Sequence, residues 1–211
     1  SVVFYRDEGL ARSQQMFSDL YSYAIKPTRS INILFNSREE SSIVAKKVIE
    51  EVGVFKGLVE KERTAISNRS KALFTLSAIC TATNELLNGI DLPLQEKITL
   101  AERYWNSVGE HIPEWLKVRS GELKSSDVRK DYICSLSLTL VALGFAGNAL
   151  VQMDPGKWEN HLKNLDSIDW RKTNPAWENL VFVNGKVAAN RSTQRAMSCY
   201  MKNVLLETVG M

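Results

Sequence analysis

The 211-residue chain holds only two histidines, His111 and His161, and three cysteines, Cys80, Cys134 and Cys199. The cysteines are far apart, with no CxxC pair and no histidine at ligand spacing. That usage argues against a zinc site or a disulfide framework. It predicts free thiols packed as small core residues in a reduced, cytoplasmic protein. No P-loop, GxSxG or HExxH occurs, so the common phosphate-cradle, serine-hydrolase and zinc-protease chemistries are excluded. Glu110 and Glu114 flank His111 at helical spacing, which pairing along one helix explains without a metal. The chain is therefore read as a protein without catalytic residues, metal or cofactor. The longest apolar stretch, residues 133–151, is broken by Ser135, Ser137, Thr139, Gly144, Gly147 and Asn148, so it reads as a buried central helix rather than a membrane span.

What is present is a globular composition, 44% hydrophobic with a net charge of only +3. Apolar residues recur at three- and four-residue intervals in several segments. Val44, Val48 and Val52 form one such stripe, behind a start capped by Ser37. Leu73, Leu76, Cys80, Thr83 and Leu87 form a second, and Leu94, Ile98, Ala101, Trp105, Val108 and Ile112 a third. A single helix starting at Ser126 or Asp127 would carry Ile133, Leu136, Leu140, Leu143 and Leu150. Asp154-Pro155 opens a short helix, and Asn184-Gly185 between apolar runs signals a hairpin. The segment "GVFKGLVEKERTAIS" has no helical period and reads as an extended, exposed connection.

The fold class that follows is mainly α, a multi-helix globular bundle with a strand remnant at "VVFY" and a small hairpin near the end. A chain entering directly on a strand suggests that an N-terminal part precedes it. The division expected is residues 1–35 as the end of another domain and residues 36–211 as the helical domain.

The positive charge is concentrated in two places. Lys61, Arg63, Arg69 and Lys71 surround Ser70, read as the start of one helix. Arg171, Lys172, Lys186, Arg191, Arg195 and Lys202 gather around Ser192, read as the start of another. Free backbone N–H groups, a positive helix end and guanidinium groups suit phosphate, and Arg63, Arg69, Lys71, Arg191 and Arg195 are the candidate contacts. The plainer reading, that these cations only solvate helix starts and loops, fits the same residues. No helix-turn-helix, zinc-finger or RNP motif is recognisable, so any binding would go through the backbone of a nucleic acid rather than its bases.

The stretch "RSQQMFSDLYSYAIKPTRSINILFNSRE" resembles the segment that follows the Asp-Gly-Gln-His-Arg motif in DGQHR-domain proteins. "VFKGLVEKERTAISNRSKALFTLSAICTATNELL", with "IDWRKTNPAWEN" and "VNGKV" further on, resembles the DNA sulfur-modification protein B (DndB) family. The resemblance spans nearly the whole chain. It implies a DNA-binding transcriptional regulator of a DNA phosphorothioation gene cluster, a cytoplasmic repressor bound to double-stranded DNA at the operator of its own cluster. It also implies that residues 1–35 end a ParB-like domain. The string Asp-Gly-Gln-His-Arg itself is absent, so no chemistry of that motif carries over. Two other readings stay open. One is a helical interaction scaffold for modification proteins or a second copy of the chain, anchored by exposed Trp115, Trp170 or Trp177. The other is a ParB-like nucleotidase or nuclease whose site lies outside these residues.

Overall fold

The computed structural model describes residues 26–206 together with Arg12; the expected strand "VVFY" and the helical face of Leu10, Phe17, Leu20 and Ala24 lie outside the described residues. The ambiguous "PTRSINILFN" folds as helix α1 (Arg29–Phe35), because the Thr28 hydroxyl accepts the Ile31 N–H at 3.2 Å and caps it. Helix α2 (Glu40–Glu51) follows. Asn36, not Ser37, organises its approach, its Oδ1 accepting the N–H groups of Arg38 and Glu39 at 3.0 Å.

The segment expected as an exposed connection is partly core: Val54, Phe55 and Leu58 are buried. It leads into a two-residue strand β1 (Val59–Glu60), which pairs in parallel with β2 (Phe74–Thr75). The pairing closes residues 61–73 into a loop. Helix α3 (Leu76–Leu87) then starts at Thr75, whose hydroxyl accepts the Ala78 N–H at 3.2 Å. Ser70 therefore starts no helix; the apolar spacing runs back to Leu73, but Leu73 is buried from a position before β2, outside the helix.

Helix α4 (Leu94–Glu110) ends before Pro113, which occupies the first turn of α5 (Pro113–Ser120), where its missing N–H matters least. The single long helix expected next is two, α6 (Ser125–Asp131) and α7 (Ser137–Met153). The break has a partner: the Ile133 N–H donates to the Trp170 carbonyl at 2.9 Å, and Tyr132 bridges Arg171. Two 3-10 helices (Trp158–Ser167 and Pro175–Trp177), the hairpin β3 (Phe182–Val183) and β4 (Lys186–Val187), and α8 (Arg191–Leu206) complete the described residues. The fold is mainly α. No helix among the described residues is long and apolar enough to cross a membrane.

Helix α7 is the apolar centre, packed against both α3 and α8. Two glycines let its neighbours in: a Cβ on Gly144 would lie 2.0 Å from the Ala82 carbonyl oxygen, and one on Gly147 would lie 2.3 Å from the Tyr104 ring. Tyr104 donates to the Leu143 carbonyl at 2.6 Å, and the Trp105 indole N–H donates to the Thr83 hydroxyl at 3.0 Å, tying α4 to α7 and α3. All five tryptophans are buried. So are Cys80 and Cys134, whereas Cys199, expected in the core, is exposed on α8.

Candidate functional site

The first basic cluster sits on the 61–73 loop. Arg63, Arg69 and Lys71 are all exposed. The base of the loop is fixed by the Leu73 N–H donating to the Leu58 carbonyl at 2.6 Å. Its near arm is shaped by Glu60, whose Oε1 accepts the N–H groups of Glu62 at 3.0 Å and Arg63 at 3.2 Å. Its far arm is held from α6. The Arg129 guanidinium donates through Nη2 to the carbonyls of Ser67 at 2.9 Å and Asn68 at 3.3 Å. Through Nη1 it donates to Ser70 at 3.2 Å and to Ala72. The Ser125 hydroxyl takes the Lys71 carbonyl at 2.7 Å.

The second cluster divides. Lys172 turns inward, its ammonium donating to the carbonyls of Arg129 and Lys130 at 2.8 Å at the negative end of α6. Burial pushes that ammonium below the usual lysine range, against the pull of Asp131 and Cys134. Arg171 lies 4.0 Å from Asp169. Arg191 and Arg195 remain outward, one turn apart at the start of α8, which Asn190 caps by accepting the N–H groups of Ser192 at 2.9 Å and Thr193 at 3.0 Å.

Four depressions, each sharing lining residues with the next, form a broken groove between the two clusters. A depression walled by Arg69, Lys71 and Lys124 shares Asn68 with a second one, over Ile66, Leu136 and Arg129. That one shares Thr64, Thr75, Ala78 and Ser137 with a third, walled by Arg29. The third shares Val141 and Gln194 with a fourth, walled by Arg191 and Arg195. Along α3 the walls run from Thr75 to Glu85, a rise of about 15 Å. Among the described residues the walls carry Arg29, Arg69, Lys71, Lys124, Arg129, Arg191 and Arg195 against the carboxylate of Glu85. No ion pair among the described residues engages any of these cations. Arg63 stands apart from the walls; its neighbour Thr64 lines them.

Sequence reasoning names Arg69, Lys71, Arg191 and Arg195 of this set and misses Arg29, Lys124 and Arg129. Arg29 opens a helix too short for a clear period. Lys124 and Arg129 lie some fifty residues beyond the loop they approach, and no local spacing links them to it. The two histidines have structural partners: His111 Nδ1 is 3.1 Å from Asp166, and His161 Nδ1 is 3.0 Å from the Leu205 carbonyl. No group of three or more His, Cys, Asp or Glu residues among the described residues could hold a metal.

What the geometry defines is a helical protein with a broken basic groove on its surface. The chain belongs to the DndB family, described as DNA-sulfur modification-associated, whose model matches residues 1–207. No curated protein and no solved structure matches it.

Proposed function

We propose that this chain is a DNA-binding regulator of a DNA phosphorothioation gene cluster, acting in the cytoplasm on the duplex operator of that cluster and gripping it through phosphates. The observation that supports this best is the line of depressions between two separate basic segments, whose wall cations have no carboxylate partner among the described residues. A duplex backbone is a row of evenly spaced negative charges, and a groove with cations at both ends and at Arg29 between them matches such a row. The role is one of binding, and it needs no catalytic group, metal or cofactor.

The scaffold reading asks for exposed Trp115, Trp170 or Trp177, and these side chains are buried. The DNA reading is therefore preferred. Its test is fluorescence anisotropy on a promoter duplex of the cluster across a salt series. Arg69→Ala with Lys71→Ala, and separately Arg191→Ala with Arg195→Ala, should each flatten the log–log salt slope by about two. Wild-type protein that leaves the duplex unbound at low salt would end the proposal.

A further inference from the structure

We infer that Arg129 builds the phosphate-binding loop of residues 67–72 from behind, an inference that rests on the DNA-binding reading of the groove. The chemistry is that of a cation used as a template. Arg129 has a rigid fork of donors, and four carbonyls, of Ser67, Asn68, Ser70 and Ala72, converge on it. Ser125 takes a fifth, that of Lys71. No carboxylate among the described residues pairs with Arg129, and burial pushes its guanidinium below the usual arginine range.

Two consequences follow for an anion in the groove. The loop's carbonyl oxygens, the groups that would repel a phosphate, are held on Arg129 instead of facing the ligand. Arg69 and Lys71 are thereby carried on a fixed backbone with their side chains exposed. The fork is supported in turn: Lys172 donates to the carbonyl of Arg129 itself and to that of Lys130 at 2.8 Å, which anchors the end of α6. Arg129 is thus a positioning residue, and Arg69 and Lys71 are the contacts.

The loop carries its own reporter, because trypsin cleavage after Arg69 and Lys71 should track opening of the loop backbone. The test compares full-length wild type with Arg129→Gln, Arg129→Lys and the milder Ser125→Ala. Two measurements are made on each: native-state trypsin cleavage at the loop, and anisotropy on a short mixed-sequence duplex at low salt. Cleavage should rise about tenfold in both Arg129 variants and less in Ser125→Ala, with the α-helical circular dichroism unchanged. Duplex affinity should fall about tenfold in both, lysine failing despite its charge because one ammonium cannot reach four carbonyls. Adding either Arg129 change to Arg69→Ala with Lys71→Ala should cost little more, since Arg129 acts through those side chains.

Unchanged cleavage in the folded variants would overturn the inference. So would a fully additive loss, or rescue of both readouts by Arg129→Lys. If neither Arg129 variant folds, unchanged cleavage and affinity in Ser125→Ala would overturn it as well. A wild-type protein that binds no duplex, with cleavage still accelerated in the variants, would leave Arg129 as the loop's template and refute the DNA-binding reading instead.

Discussion

At the scale of single residues, the tightest constraint is an absent side chain. Gly144 sits where α7 meets the backbone of α3, and a methyl group there would lie 2.0 Å from the Ala82 carbonyl oxygen and 2.9 Å from its carbon. Neither atom can swing aside as a flexible side chain would. Gly144→Ala should therefore lower stability by about 3 kcal/mol, read as a drop in the urea midpoint. Gly156→Ala is the control, since nothing lies within 4 Å of its added carbon and the midpoint should hold. In sequence Gly144 reads only as an interruption of an apolar run. Its role depends on how closely the helices cross, which no local pattern encodes.

At the scale of elements, each basic cluster depends on a local device that orients it. For α8 the device is Asn190, which accepts two of the first N–H groups. Asn190→Ala should destabilise the protein by about 1 kcal/mol and fray the turn that carries Arg191 and Arg195, measurable as a lower urea midpoint and a weaker second patch in the duplex assay. That helix start was legible from the sequence to within a residue or two. The start assigned to Ser70 was not. The apolar spacing of Leu73, Leu76 and Cys80 continues smoothly through the boundary, while the backbone changes from the short strand β2 to helix at Thr75. Side-chain periodicity reports which residues face the core; it does not report whether the backbone between them is helical. The division of α6 from α7 has the same origin, because the capture of Ile133 by Trp170 comes from a segment distant in sequence.

At the scale of the whole molecule, several ionisable groups are kept neutral inside the fold. Burial, with the negative charge of Glu114 adding to it, pushes the Cys134 thiol well above its ordinary 9.0. Burial pushes the Cys80 thiol and the Tyr104 phenol up as well. Above about pH 9 the unfolded chain releases protons that the folded chain keeps, so these groups stabilise the fold fully below that pH and lose their contribution as pH rises. Lys172 and Arg129, both pushed down by burial, act in the opposite sense below their ordinary values, but both are partly exposed and are two groups against three. The urea midpoint should be level near neutrality and fall above about pH 9. Cys134→Ala and Tyr104→Phe should each remove part of the slope; a midpoint that stays level to the alkaline end would contradict the assignment.

Helical spacing, the Asn-Gly hairpin and the broken apolar run were enough to establish a mainly α fold, a buried central helix and the positions of two basic segments. These are properties of the order of residues along the chain, and burial of apolar surface enforces them locally. Packing alone determined that a line of depressions runs between the two segments, that Lys172 turns inward, that Cys199 faces out and the tryptophans in, and that Arg129 holds the 67–72 loop. Each of these joins residues tens of positions apart, and such meetings depend on helix crossings and carbonyl partners that exist only once the chain has folded.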